Sequence, residues 1–145
     1  MTRVTLLAAL LLSACAADKA AGPGLTVADL AGTWAVTRWQ RLNAANPNER
    51  EDVLPTGGTA SLVINRTGAF SFTVVIPGQG TFTETGTLSI KGDTLTYDGE
   101  NDEVLFRITR RGDPMGWRAL EPELNDVNND GVPEDSIEEV EFVRR

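Results

Sequence analysis

Asn65-Arg66-Thr67-Gly68-Ala69-Phe70-Ser71-Phe72-Thr73-Val74-Val75-Ile76-Pro77-Gly78-Gln79-Gly80 is the stretch of the sequence that decides the fold. An aromatic or branched aliphatic residue stands at every second position from Phe70 to Ile76, and most of the intervening residues are serine or threonine. This period of two predicts a strand with one buried face. Turn sequences rich in glycine stand on both sides, and short turns of this kind join antiparallel neighbours.

The same alternation recurs along most of the remaining chain. It is found over 33–42, 60–64, 82–90, 95–97, 104–108, 117–119 and 140–142, which gives about eight strands in all. Turn sequences separate most of them, and two longer connections cover 43–57 and 121–136. Before the first strand, Thr26 and Asp29 have the spacing of a capping box, which predicts one short helical turn.

Consecutive strands with one apolar face favour a small antiparallel up-and-down β-barrel. Closure of the sheet buries the apolar face and removes the exposed strand edges. A sandwich of two sheets has the same strand count and the same periodicity, so it is the alternative. The roughly 120 residues from Leu25 onward suffice for one domain and are too few for two.

Residues 1–15 have the pattern of an export signal. Arg3 precedes an apolar run over 4–12, and this run is too short to span a bilayer, which takes about 20 apolar residues. The stretch Leu12-Ser13-Ala14-Cys15 resembles the lipobox of bacterial lipoproteins. The resemblance implies cleavage before Cys15 and a lipid, carrying chains such as palmitate, on its sulfur. The alternative is an ordinary signal peptide that is cut near Ala14 or Ala17.

This interpretation divides the chain into a signal peptide (1–14), a lipidated flexible tether (15–24) and a β-barrel domain (25–145). Acyl chains contribute about 0.8 kcal/mol for each buried methylene, so the anchor would hold the domain at a membrane. Ala16 follows the cysteine, where an aspartate would resemble an inner-membrane retention signal. We therefore expect an outer-membrane lipoprotein of the cell envelope that faces the periplasm or the cell surface.

Composition excludes several functions. The chain has 13 Lys and Arg residues, of which the signal peptide removes one, against 21 Asp and Glu residues. A surface with this excess of acidic residues repels phosphates, so nucleic acid is not an expected partner. The chain has no histidine, and Cys15 is its only cysteine, so His-dependent nucleophilic and zinc chemistry is excluded.

The remaining catalytic alternative is a pair of carboxylates, as in glycoside hydrolysis. The acidic residues of the last predicted strand, Glu138, Glu139 and Glu141, alternate with apolar residues and have the pattern of a solvated surface. The acidic group at 49–52 lies in a charged loop. We therefore expect a protein that is not an enzyme.

Leu30-Ala31-Gly32-Thr33-Trp34 stands at the head of the first strand, directly after the predicted helical turn. It resembles the Gly-x-Trp motif that opens lipocalins and related bacterial lipocalin-like domains. The resemblance implies that Trp34 packs across the closed end of the barrel and that the barrel holds a small hydrophobic or amphipathic ligand. The second lipocalin motif, Thr-Asp-Tyr, has no counterpart, because Thr96-Tyr97-Asp98 inverts its order.

The sequence is compatible with two kinds of barrel interior, one hollow and one filled. A hollow barrel would place Phe72 and Phe106 in the wall of a ligand site, whereas side chains can also fill a barrel of eight strands. A filled barrel would belong to a structural or protein-interaction lipoprotein of the envelope, with an unidentified protein partner.

Three polar residues fall on the apolar face of their strands, namely Arg38, Gln40 and Glu84. An inward Arg38 facing Glu84 would orient a polar head group at the mouth of a cavity. Alternatively, these residues lie at strand ends, or Gly86 marks a bulge that reverses the faces.

The stretch Asp126-Val127-Asn128-Asn129-Asp130-Gly131-Val132-Pro133-Glu134 contains the pattern D-x-N-x-D-G. It resembles EF-hand-like and thrombospondin-type calcium loops. The resemblance implies side-chain ligands at Asp126, Asn128 and Asp130, the Val132 carbonyl as a further ligand, and Glu134 at the ninth position.

Calcium bound in this loop would be structural and weak. Ile137 occupies the twelfth position, where an EF-hand has a bidentate glutamate, so a dissociation constant of about 10⁻⁴–10⁻³ M is expected. The alternative is an acidic turn whose side chains bond the local backbone. No other cofactor is expected.

Overall fold

The computed structural model describes residues 24–145. The predicted signal peptide, the lipobox and Cys15 lie outside the described residues. The elements in chain order are α1 (Val27–Leu30), β1 (Gly32–Asn43), β2 (Arg50–Asp52), β3 (Thr59–Ile64), β4 (Ala69–Ile76), β5 (Gly80–Lys91), β6 (Thr94–Gly99), β7 (Glu103–Arg110), β8 (Met115–Ala119), β9 (Glu123–Asn125) and β10 (Glu134–Arg144). In the described part of the chain, no helix has the length and apolar character needed to cross a membrane.

Eight of the strands form a closed antiparallel barrel. The sheet runs β2-β1-β3-β4-β5-β6-β7-β8-β10-β9, and β1 also pairs with β10, so β1, β3 to β8 and β10 make a complete ring. The predicted barrel is confirmed. The two-sheet alternative is wrong, because the pairing of the first and last long strands joins the edges into one continuous sheet.

The two long connections each contain a short strand that the sequence did not predict. β2 pairs with the end of β1, and β9 pairs with the beginning of β10. Three residues are too few to establish a period of two, so the sequence carries no signal for either strand. Both extend the β1–β10 pair beyond the ring at one end of the barrel.

The antiparallel order gives the barrel two different ends. At the closed end lie α1, the turns at 65–68, 92–93 and 111–114, and the C-terminus. At the open end lie the turns at 77–79 and 100–102 and the long connections that contain β2 and β9. The described chain enters at the closed end, where Leu25 and Val27 pack against the core.

Trp34 holds the closed end together. Its side chain is 1% exposed, and its Nε1 donates a hydrogen bond to the Leu30 carbonyl at 2.8 Å. The Arg144 guanidinium lies 4.3 Å from the centroid of the Trp34 ring and donates to the Ala31 carbonyl at 2.8 Å. The first strand, the helical turn and the last strand are thereby joined at one residue.

Gly32 is required for this arrangement. Its φ of +145° is one that residues with a side chain rarely adopt, and a Cβ there would lie 2.6 Å from Arg144 Nη1. A side chain at this position would push Arg144 off the Trp34 ring.

The core fills the half of the barrel next to the closed end. Its most deeply buried members are Trp34, Leu62, Leu95, Met115 and Phe142. Large residues from five strands meet there, so this half is filled by the protein's own side chains.

Candidate ligand cavity and acidic loop

The half of the barrel next to the open end is hollow. The cavity has a volume of about 230 Å³, and its lining residues are Trp39, Leu62, Phe72, Glu84, Tyr97, Asp102, Val104, Phe106, Trp117, Glu123, Glu138, Val140 and Phe142. An engineered apolar cavity of about 150 Å³ suffices to bind benzene. The filled and hollow interiors considered above each describe one half of the molecule.

Aromatic side chains form much of the cavity wall. The ring centroids of Trp39 and Phe72 lie 5.4 Å apart in an edge-to-face arrangement. Phe106 lies 6.5 Å from Tyr97 and 5.7 Å from Trp117. Phe72 and Phe106 thus lie where the sequence placed them, in the wall of the cavity.

Four carboxylates also line the cavity. Glu84 and Glu138 project from the walls and are half-buried, whereas Asp102 and Glu123 are exposed at the mouth. No lysine or arginine is among the lining residues. The cavity is therefore apolar in its walls and acidic where it meets solvent.

A hydrogen bond from Tyr97 fixes Glu84. The Tyr97 hydroxyl donates to Glu84 Oε2 at 2.8 Å. Burial, and then the Glu84 carboxylate, raise the pKa of Tyr97, so the tyrosine keeps its proton at physiological pH. Gly99 makes room for this pair, because a Cβ there would lie 2.1 Å from Glu84 Oε1.

Glu138 lies on the inner face of β10, and the expectation of a solvated surface is wrong for this residue. Its parity is that of Val140 and Phe142, both of which are buried inside the barrel. Glu139 and Glu141 point outward, as expected. Counting every second residue back from Phe142 and Val140 reaches position 138. The alternation of β10 was therefore enough to place Glu138 on the inner face.

Burial raises the pKa of Glu138, because the charged carboxylate loses solvation inside the barrel. The Trp39 indole and the Arg41 guanidinium act in the opposite direction, and Glu123 adds to the rise. Arg41 stands opposite Glu138 in the β1–β10 register and lines a smaller adjoining cavity. Its guanidinium contacts Glu51 at 3.6 Å.

Arg38 lies outside the barrel, so the prediction that it faces Glu84 is wrong. The register of β1 against β10 shifts between Val36 and Arg38, which identifies a bulge at Thr37. After the bulge Trp39 points inward, and Arg38 pairs with Glu141 at 3.6 Å on the outer face.

The other two polar residues that the alternation places on an apolar strand face are Gln40 and Glu84. Gln40 donates to Asp52 at 2.8 Å, outside the cavity lining. No bulge occurs at Gly86, which pairs in register with Phe70 and Gly99. Glu84 accordingly keeps the inward direction of its strand.

Two indole nitrogens of the cavity lining have no acceptor. Trp39 Nε1 and Trp117 Nε1 are both buried, and neither makes a hydrogen bond within residues 24–145. Trp117 is only 3% exposed. Buried donors without acceptors are rare in proteins, and Trp117 is the clearer of the two, because the Trp39 indole acts on the Glu138 carboxylate.

The acidic loop between β9 and β10 brings three of its five predicted ligands together. Carboxylate oxygens of Asp126, Asp130 and Glu134 all lie within 4.8 Å of one another. Hard cations such as Ca²⁺ take oxygen ligands of this kind, so the donor set fits the ion.

The same loop is also held by its own backbone. Asp126 Oδ1 accepts from the Asp130 amide at 3.0 Å, and Asp126 Oδ2 accepts from the Gly131 amide at 2.9 Å. Asn128 Oδ1 accepts from the Asp130 amide at 3.0 Å, and Asp130 Oδ1 accepts from the Val132 amide at 2.8 Å. The local hydrogen bonds therefore coexist with the converging carboxylates.

The fold and the cavity define a small closed antiparallel β-barrel with a chamber that opens at one end. No protein-family model, no curated protein and no solved structure matches the chain. A fold of this class hosts many functions, so the function has to be inferred from the cavity and the loop themselves.

Proposed function

We propose that this protein is a membrane-anchored, lipocalin-like lipoprotein that binds a small amphipathic molecule and does not transform it. The observation that carries the proposal is the cavity of about 230 Å³ in the open half of the barrel. Ligand sites are typically concave, mainly apolar and equipped with a few polar groups that orient the ligand. The aromatic wall and the Glu84–Tyr97 pair supply these two components.

The position of the chain's entry suits a tethered binding protein. Leu25 joins the core at the closed end, and the cavity opens at the opposite end. A lipid anchor on Cys15 would hold the closed end toward the membrane, and the mouth would then remain accessible to ligands.

Binding is favoured over catalysis, although Glu84 and Glu138 both face the interior. The Glu84 carboxylate already accepts the Tyr97 hydrogen bond. The two residues come from β5 and β10, which lie on opposite sides of the ring. Carboxylates on opposite sides of the ring would surround a bound ligand with acidic groups. Neither has a defined position relative to a ligand bond that it could cleave.

The rim of the open end supports a second function, contact with an envelope protein. Leu124 is 71% exposed and Val132 is 64% exposed, and both lie in the segment that contains β9 and the acidic loop. Exposed apolar side chains on one rim of a protein favour protein contacts. A barrel that bound no small molecule would leave this as the remaining function.

Blocking the cavity is the direct test of ligand binding. Val104 lies in the cavity wall, so Val104→Trp places an indole inside the chamber. We expect wild-type protein to give saturable NMR shifts of the Trp39 and Trp117 indole N–H signals with 2-phenylethanol, and Val104→Trp to abolish them. The Trp34 signal should not move, because Trp34 is buried at the closed end.

Val63→Trp is the matched control, since Val63 is exposed on the outer face of β3. It should leave the titration unchanged. Binding that survives in Val104→Trp, or an absence of saturable shifts in the wild type, would contradict the proposed cavity function.

We further propose that the acidic loop binds a structural calcium ion. With a dissociation constant of about 10⁻⁴–10⁻³ M, 1 mM calcium should add roughly 0.4–1.4 kcal/mol to the free energy of unfolding. Thermal unfolding with calcium and with a chelator measures the difference. Asp130→Asn keeps the acceptor oxygen for the Val132 amide but removes one charge, and it should lose the effect. Identical melting temperatures in calcium and in chelator would reject the site.

A further inference from the structure

The carboxylates of the cavity are not neutralised by basic side chains. On the outer face, Glu139 and Glu141 each form salt bridges with arginines. Within residues 24–145, none of the four cavity carboxylates forms a salt bridge. The same strand thus presents paired acidic groups to solvent and an unpaired one to the cavity.

The partners that the inner carboxylates do have leave their charge in place. Glu84 is bonded to the hydroxyl of Tyr97, which keeps its proton. Arg41, opposite Glu138, contacts Glu51. A positively charged group inside the chamber would therefore meet carboxyl groups on two opposite walls, neither of which is held in a salt bridge. Its attraction would be stronger there than in water, because the apolar surroundings screen charge weakly.

The aromatic lining adds a second attraction for cations. The faces of tryptophan, tyrosine and phenylalanine rings attract positive charge by about 0.5–2 kcal/mol for each well-placed ring. Six of the lining residues are aromatic, namely Trp39, Phe72, Tyr97, Phe106, Trp117 and Phe142. The rings also provide apolar surface for the uncharged part of a ligand.

From these observations we infer that the cavity selects small organic cations, in which a protonated or quaternary amine is joined to an apolar body. This inference rests on the proposed binding function and specifies the charge of the ligand. A bare metal ion fits less well, because the only converging group of metal-ligating side chains in residues 24–145 is in the acidic loop.

Three probes of similar shape and different charge test the inference on the full chain: 2-phenylethylamine, 2-phenylethanol and phenylacetate. The Trp39 and Trp117 indole N–H shifts report binding. We expect the amine to bind at least tenfold more tightly than the alcohol, and phenylacetate to give no saturable shift.

Variants of the cavity carboxylates separate local charge from the general acidity of the protein. Glu84→Gln and Glu138→Gln should each weaken binding of 2-phenylethylamine about tenfold and change binding of 2-phenylethanol by a much smaller factor. Glu84→Gln retains an oxygen acceptor for Tyr97. The control is Glu103→Gln, which removes the same charge from an exposed position on the outer face at the open end. It should change neither affinity.

The outcomes distinguish the inference from the proposed function. Equal affinities for the amine and the alcohol would overturn cation selectivity and leave the binding function intact. A loss in Glu103→Gln as large as in Glu138→Gln would also overturn it, because the attraction would then come from the surface as a whole. If none of the probes gave saturable shifts, both proposals would fail.

Discussion

Replacing Trp34 with alanine is expected to lower the free energy of unfolding by about 3–5 kcal/mol, the range for a large aromatic side chain removed from a core. Trp34 is almost fully buried, and its ring also lies under the Arg144 guanidinium. The substitution therefore removes packing, the hydrogen bond to the Leu30 carbonyl and the cation–π contact together. Denaturant unfolding followed by tryptophan fluorescence, which Trp39 and Trp117 still provide, measures the loss.

Trp34→Phe is the matched control. It keeps an aromatic ring between the core and Arg144 but leaves the Leu30 carbonyl without its donor, and it removes part of the buried volume. We expect a smaller loss of about 1–2 kcal/mol. If Trp34→Ala destabilised the protein by less than 1 kcal/mol, the closed end would not depend on this residue, and the role assigned to Trp34 would be wrong.

The barrel could be predicted from the sequence because its strands repeat a simple pattern. Phe70, Phe72, Val74 and Ile76 fix the inner face of one strand, and short turns restrict its neighbours to antiparallel pairing. Closure itself requires β1 to pair with β10, a contact between the two ends of the domain. The alternation is equally compatible with a sandwich, so only the structure separates the two.

Simple alternation could not predict which side chains of β1 face the interior of the barrel. Trp34 and Val36 stand on the inner parity, but the bulge at Thr37 transfers that face to Trp39 and turns Arg38 outward. The sequence does contain a signal, since the apolar positions 34, 36 and 39 break the period of two. Following the apolar residues would have placed Trp39 in the cavity.

The acidic loop and the cavity differ in how far apart their residues stand in the chain. Asp126, Asp130 and Glu134 lie within nine consecutive residues, so a short motif is enough to propose that they converge. The cavity unites side chains from β1 to β10, and no local pattern reports that Glu84 and Glu138 share one chamber. Mouth residues such as Asp102 and Glu123 depend on the paths of the turns, which alternation does not describe.

Glu138→Gln is expected to stabilise the protein at neutral pH by about 1–2 kcal/mol, within the range for relief of an unfavourable buried group. Burial raises the pKa of Glu138 above its usual value of 4.5 in the folded protein. At pH values between 4.5 and the raised pKa, Glu138 is protonated to a greater extent in the folded state than in the unfolded state. The contribution of Glu138 to stability therefore falls as pH rises through this interval, and above it the full cost of the buried charge remains.

Glutamine resembles the protonated side chain and does not ionise, so the variant should avoid this cost. The difference in unfolding free energy between variant and wild type should be small below pH 4.5, should grow as pH rises above this value and should level off above the raised pKa of Glu138. The charged and titratable groups facing Glu138 are Arg41 on β1, Tyr97 on β6 and Glu123 on β9. Their effects enter both proteins, so urea unfolding at each pH isolates the contribution of position 138.

Glu139→Gln is the control on the same strand, because Glu139 faces outward and pairs with Arg118. It should not produce a stabilisation that grows with pH. A Glu138→Gln variant less stable than the wild type at pH 7 would show that the inner carboxylate contributes to folding. The expected result is a variant that is more stable and yet binds 2-phenylethylamine more weakly. A charge that destabilises the empty barrel and strengthens binding of a cation is what a ligand-binding role for Glu138 requires, because packing alone would favour the neutral side chain.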